Sequence, residues 1–176
     1  CSSDLVGRAV AVELQRRGAH VLATARRSDR LATLAAESRH GNAPAILHEA
    51  GNVADEAFRR HLVATASARL GGIDLIVAAA GSGAIGRLAD MAPETFRAVL
   101  DIDLVAPAEL TRLAVPHLAA GRDPAVVLVG SILGYHPLPL HAAYCAAKAG
   151  VVSLAGSLRH ELAPEGIDVL LASLGP

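Results

Sequence analysis

Three residues in the second half of the chain have the types and spacing of a proton-transfer device. Tyr144 and Lys148 fall one helical turn apart in His141-Ala-Ala-Tyr-Cys-Ala-Ala-Lys148-Ala-Gly150. Ser131 lies thirteen residues before the tyrosine and closes the apolar run Ala125-Val-Val-Leu-Val-Gly-Ser131. That run reads as a buried strand, and the stretch after Tyr144 reads as a helix. Positions i and i+4 share a helix face, so the Lys148 ammonium is placed beside the Tyr144 phenol. A cation there favours phenolate and lowers the tyrosine pKa toward working pH. Ser131, at the carboxyl end of its strand, can hold a carbonyl or alcohol oxygen against the phenol. The chemistry is interconversion of an alcohol and a carbonyl, which requires a hydride carrier. The plainer alternative is an amphipathic Tyr–Lys pair and a serine that caps a turn.

The elements that must position these groups follow from composition and pattern. At 176 residues the chain is expected to be one domain spanning residues 1–176, and a hydrophobic fraction of 52% with 19% charged residues excludes a disordered chain. No apolar run reaches a membrane span, and no signal-peptide pattern opens the chain. Net charge is -1 and only Phe58, Phe96, Tyr135 and Tyr144 are aromatic. The basic stripe or stacking platform of a nucleic-acid binder is therefore missing. Cys1 and Cys145 have no metal spacing, which points to a reduced, cytoplasmic chain with Cys145 as a small buried hydrophobe. The eight histidines give no i, i+4 pair with a third ligand, so no metal site is expected.

Apolar runs alternate with long amphipathic segments. Strands are expected at His20–Thr24, Ala45–His48, Ile73–Ala78, Ala125–Gly130 and Ile167–Ala172, and helices at Val6–Arg17, Asp29–Ser38, Asp55–Leu70, Pro93–Ala119 and His141–Leu162. This alternation implies an α/β fold, a Rossmann-like doubly wound parallel sheet with helices on both faces. The strands read as apolar throughout, as coverage on both faces requires. Pro116 is expected to kink or end its helix. Cys1–Ala9 reads as a loop entering a helix with no strand before it, and Ser173–Pro176 as a segment that should continue. The chain is accordingly expected to be part of a longer one.

At these residues the chain resembles the short-chain dehydrogenase/reductase family. The marks are Cys1-Ser-Ser…Gly7-Arg-Ala, Val21-Leu-Ala-Thr-Ala-Arg-Arg27, Gly51-Asn-Val53, Leu75-Ile-Val-Ala-Ala-Ala-Gly81, Asp101-Ile-Asp-Leu104, Ser131, Tyr144-x-x-x-Lys148 and Leu174-Gly-Pro176. The resemblance implies that Tyr144 is the general acid/base, that Lys148 tunes it and bonds the nicotinamide ribose, and that Ser131 positions the reacting oxygen. It implies a dinucleotide held by Ser2, Ser3, Gly7, Asn52, Val53, Ala79, Ala80, Gly81, Tyr144, Lys148, Gly175 and Pro176. Where an acidic residue would select NAD(H), the chain has Ala25 followed by Arg26 and Arg27. Guanidinium suits a 2′-phosphate, so NADP(H) is favoured over NAD(H), with Arg26 as the contact.

The chain departs from the family pattern in four places. The loop Ser3-Asp-Leu-Val-Gly7 holds one glycine, and Asp4 places negative charge near the phosphates. Asn52 replaces an aspartate that contacts adenine. Ala78-Ala-Ala-Gly81 replaces Asn-Asn-Ala-Gly. Asp103 stands where an asparagine holds a water in the proton relay; as an anion it could pair with Lys148 and raise its pKa, which would weaken the lysine's deprotonation and not its cationic effect on Tyr144.

His136 and His141, in Tyr135-His-Pro-Leu-Pro-Leu-His141, border the implied substrate cleft, where either could touch substrate or simply face solvent. The tract Tyr135–Leu140 hints at an apolar carbonyl or alcohol substrate. The long Ala- and Leu-rich segments Pro93–Ala119 and His141–Leu162 imply a homo-oligomer, dimer or tetramer. The reading is an NADP(H)-dependent oxidoreductase with no nucleic-acid or membrane partner. Its rivals are a catalytically weak nucleotide-binding sensor or scaffold, and an isomerase or dehydratase on the same scaffold.

Overall fold

The computed structural model describes residues 2–38 and 43–175, with the side chains of 2–4 left out. In chain order the elements are α1 (Ser2–Arg16), β1 (Leu22–Ala25), α2 (Ser28–Glu37), β2 (Leu47–Ala50), α3 (Glu56–Leu70), β3 (Leu75–Ala78) and α4 (Pro93–Leu100). A π turn (Asp101–Val105), α5 (Ala106–Leu118), β4 (Ala125–Ser131), α6 (Ala142–Glu161) and β5 (Asp168–Leu174) complete them. The expected α/β alternation is present, and all strand pairing is parallel. The strands form two sheets, β1-β2 and β3-β4-β5, with no pairing between them among the described residues.

Local sequence explains most element ends. Asp55 caps α3 by accepting from the Ala57 and Phe58 N–H groups, the usual remedy for unpaired donors at a helix start. Gly71 ends the same helix in the left-handed conformation, which glycine adopts without Cβ strain. Pro93 supplies the first turn of α4. The expectation of a loop at the start of the chain needs correction, and Cys1 lies outside the described residues. Helix, not loop, runs from Ser2, because a stretch with one glycine contains little that forces the backbone out of helical geometry. The α5 helix passes through Pro116 and ends two residues later at Leu118.

Strand bounds shifted most. β1 runs to Ala25 and β2 to Ala50 because each strand ends where its partner does, with Leu22 opposite Leu47 and Ala25 opposite Ala50. β2 consequently contains His48 and Glu49, so it is not apolar throughout. β4, flanked on both edges, is the best-covered strand, with Val126 and Leu128 fully buried. They meet Ala114 and Leu118 of α5 and Val151 and Ala155 of α6 in the main core.

Leu118 is 0% exposed at the centre of that core. Leu118→Ala should cost about 2–5 kcal/mol through lost transfer energy and a cavity. Urea unfolding measures this; a change below about 1 kcal/mol would show that the site collapses to fill the gap.

Candidate active site

Ser131 is the last residue of β4, paired with Leu174 of β5, and 8% exposed. Its hydroxyl oxygen accepts from the Leu133 N–H at 3.2 Å and so caps the turn Ile132–Gly134. An oxygen that accepts there still has its own proton to donate. The turn cap and a role toward substrate oxygen are therefore compatible.

Tyr144 and Lys148 lie on one face of α6, with the ammonium 5.6 Å from the ring centroid. Lys148 is 5% exposed and is the only lysine of the chain. Its ammonium donates to the Val129 carbonyl of β4 at 3.0 Å. It also lies 3.1 Å from Asp103 Oδ1, an ion-pair contact that falls short of a directed hydrogen bond. Gly134 fixes the lysine from the other side. A Cβ there would stand 2.8 Å from the Lys148 carbonyl oxygen and 2.9 Å from its carbon, so only glycine lets the turn pack on α6 this closely.

Asp103 is 1% exposed and sits in the π turn between α4 and α5. The next residue but three is Pro107, which has no N–H to pair with the Asp103 carbonyl in an α-helix. The chain widens instead, and the Ala106 N–H reaches Asp101 O, five residues back. Such turns are frequent at functional sites. The second carboxylate oxygen of Asp103 accepts from the Ser82 N–H at 2.7 Å and from the Ser82 hydroxyl at 3.2 Å. Two donors and a cation thus surround this carboxylate.

The Tyr144 phenol is pushed above the ordinary tyrosine value, first by burial, then against a lowering contribution from the Ser131 hydroxyl, with the charge of Asp103 and, last, Cys145 adding to the rise. The spacing of Tyr144 and Lys148 predicts the opposite direction. The difference comes first from burial, to which the charge of Asp103, standing beside the ammonium, adds.

Candidate dinucleotide residues collect at strand carboxyl ends, where open parallel sheets bind ligands. Arg26 follows β1 and is exposed, as are Asn52 after β2 and Ala80 after β3. A Cβ on Gly7 of α1 would lie 3.8 Å from the Ala79 methyl, so this helix approaches the Ala79–Gly81 loop closely. Asn52 Oδ1 accepts from the Ala54 N–H at 3.1 Å, which leaves its amide N–H groups for a ligand. Val53 turns its side chain into the core at 8% exposure, so only its backbone can face outward. Ser2 and Ser3 lie in the first turn of α1, Gly175 follows β5 and is exposed, and Pro176 lies outside the described residues. These positions fit a dinucleotide along the strand ends. They do not reproduce a glycine loop, since residues 2–7 are helical and Leu5 is 72% exposed.

Two contributors escape sequence reasoning. Ser82 holds Asp103, and no spacing signal marks it. Arg59, 6% exposed, donates to the Val53 and Ala54 carbonyls at 2.8 and 2.9 Å, pinning the loop that carries Asn52; only its position on the buried face of α3 hints at this. His136 is exposed, and His141 precedes α6 with its Nδ1 2.9 Å from the Pro139 carbonyl. Cys145 is buried and free. Among the described residues no group of His, Cys, Asp and Glu could hold a metal ion, and no helix is long and apolar enough to cross a membrane. A surface groove of about 460 Å³ between α3 and α5 contains none of these residues.

Comparison with known proteins agrees with this fold. The sequence model described as short chain dehydrogenase matches residues 2–176. The chain is 34% identical over 169 residues to dehydrogenase/reductase SDR family member 4 of Pongo abelii, covering 96% of this chain and 60% of that protein. It thus spans about three-fifths of that relative's length. A metagenomic short-chain oxidoreductase, solved in complex with NADP, matches with a TM-score of 0.91 at 28% identity, over 97% of this chain and 77% of that one. A short-chain dehydrogenase from Streptomyces avermitilis matches with a TM-score of 0.85 at 27% identity, over 96% of this chain and 66% of that one.

Gly134→Ala should displace the Lys148 backbone and destabilise the protein by about 1–3 kcal/mol. Thermal unfolding by circular dichroism measures the loss. An unchanged melting temperature would show that the turn can move away from α6 freely.

Proposed function

The chain belongs to the short-chain dehydrogenase/reductase family, and from that premise we propose that it acts as an NADP(H)-dependent oxidoreductase interconverting a carbonyl and a secondary alcohol. The observation that carries this reading is the convergence of Ser131, Tyr144 and Lys148 at the carboxyl end of β4. When bound, the nicotinamide supplies the hydride chemistry. The chain supplies orientation and the proton. Ser131 donates to the substrate oxygen, Tyr144 gives that oxygen a proton or takes one from it, and Lys148 holds the ribose hydroxyls from the same helix face. Such proton transfer from a positioned group contributes roughly 10²–10⁴-fold in rate.

Arg26 carries the preference for NADP(H). It is exposed directly after β1, where no carboxylate competes for the position. Apolar surface at the mouth supports an apolar substrate. Ile132, Tyr135, Leu138 and Leu140 are each 42–52% exposed, and Ile85 and Leu88 stand across from them at 75% and 58%. The Gly86 N–H donates to the Leu140 carbonyl at 2.9 Å, which ties the two segments into one rim. The length and Ala/Leu content of α4–α5 and α6 support association of copies of the chain through these helices. A nucleotide-binding sensor without turnover is the second reading, favoured by the helical, glycine-poor segment 2–7.

Tyr144→Phe should abolish ketone reduction while leaving NADP(H) binding, measured by fluorescence titration, within a few-fold. Near-normal turnover in that variant rules out the mechanism. Binding without turnover in the parent protein would favour the sensor.

Arg26→Asp should cut the affinity ratio of NADP(H) to NAD(H) by at least about tenfold, since it removes one charge-assisted hydrogen bond and adds repulsion. An unchanged ratio in paired titrations would take the 2′-phosphate away from Arg26.

A further inference from the structure

One charge in the site is not required by the reaction proposed above. A tyrosine that must take a proton from an alcohol is helped by a neighbouring cation, yet the cation here is already matched. Lys148 Nζ lies 3.1 Å from Asp103 Oδ1 and 5.6 Å from the Tyr144 ring centroid. The carboxylate is therefore nearer to the ammonium than the phenol ring is. Both members are out of water, with side chains 6% and 0% exposed, so solvent screens the pair weakly.

The anion is also locked in place. Ser82 donates to Asp103 through both its backbone N–H and its hydroxyl, and the π turn set by Pro107 aims the side chain inward. The titratable and charged groups that face the phenol are Asp103 from the π turn, Ser131 from β4, and Lys148 and Cys145 from its own helix. The remaining neighbours in the cluster that Tyr144 joins are apolar, among them Ala84, Met91, Phe96, Val99 and Leu104. Among the described residues, no second cation acts on the phenol.

We propose that Asp103, fixed by Ser82, draws the charge of Lys148 away from Tyr144 and so adds to burial in making alcohol oxidation at this site an alkaline activity. The proposal rests on the reading of Tyr144 as the general acid/base. In the oxidative direction the alcohol loses its hydroxyl proton to the phenolate and its hydride to the oxidised dinucleotide, which is reduced; the resulting phenol returns the proton to solvent. Without phenolate the first transfer lacks an acceptor. In the reductive direction the neutral phenol is already the donor. Asp103 acts here through Lys148 and is a positioning residue with an electrostatic effect.

The chain has two tyrosines and no tryptophan. In a Tyr135→Phe background, ultraviolet absorbance therefore reports the ionisation of Tyr144 alone. This titration needs neither dinucleotide nor substrate. Tyr144 should ionise at higher pH than a free tyrosine amide in the same buffer, and Asp103→Asn should lower its midpoint by about one pH unit or more. Asp103→Glu should restore the higher midpoint. The alkaline rise of alcohol oxidation should move by the same interval, so that oxidation at a fixed pH below the midpoint rises about tenfold per unit. Ionisation of Tyr144 below the free amide overturns the proposal, as does an unmoved midpoint in a folded Asp103→Asn variant. If that variant does not fold by circular dichroism, Ser82→Ala takes its place: loss of a donor that fixes Asp103 should lower the midpoint, and an unmoved midpoint there overturns the proposal. Absence of turnover in every form would strike the oxidoreductase reading alone, since the titration stands without it.

Discussion

A cation removed from water must find an anion or give up its charge, and this requirement organises the site. The effective penalty is several kcal/mol for each buried ion, far more than the chain can leave uncompensated when folded domains are stable by only about 5–15 kcal/mol. Lys148 is 5% exposed and Asp103 is 1% exposed. Their contact couples α6 to the π turn, while the bond from Lys148 to the Val129 carbonyl couples α6 to β4. The lysine is therefore a junction between three elements as well as a chemical group. Gly134 shows how tightly that junction is packed, because the turn after β4 rests directly on the Lys148 backbone.

The anion has its own chain of causes, which begins with a missing hydrogen. Pro107 cannot donate to the Asp103 carbonyl, so the helix opens into a wider turn and the Ala106 N–H bonds Asp101 instead. That turn buries Asp103 between α4 and α5 and presents it to Lys148. Ser82, directly after the Ala78–Gly81 segment, completes the arrangement with two donors. A proline in one helix and a serine in a loop thus place a charge that acts on a tyrosine in a third element. None of the three is adjacent in sequence to another.

This explains what could be read from the sequence and what could not. Ser131, Tyr144 and Lys148 were legible because their relations are local: one strand end, and two positions on one helix face. Helix type and order were legible for the same reason, since capping residues such as Asp55 and Gly71 mark their own boundaries. Strand ends were not, because parallel partners set them; Ala25 joins β1 only by standing opposite Ala50. Asp103 was visible as a departure from a pattern, but its inward direction needed the π turn, which side-chain periodicity does not announce. Ser82 and Arg59 act across 21 residues and on a loop six residues away, respectively, and no local signal carries either. The segment 2–7 stands where a glycine-rich loop is expected by resemblance, whereas its own residues are compatible with helix.

The spacing of Tyr144 and Lys148 fixes a distance and leaves the field undetermined. From the pair alone the phenol should be acidified, because one cation lies one turn away. The structure adds a carboxylate closer to that cation than the phenol ring is, and a buried environment that by itself disfavours phenolate. Burial is the larger effect and Asp103 adds to it, while Ser131 opposes both. A Tyr-x-x-x-Lys motif is therefore a statement about geometry, and its chemical strength depends on whether the residue facing the lysine carries charge. An amide at position 103 would keep the shape and leave the cation to act on the phenol. A carboxylate keeps the shape and withdraws that action, and in this chain position 103 is aspartate.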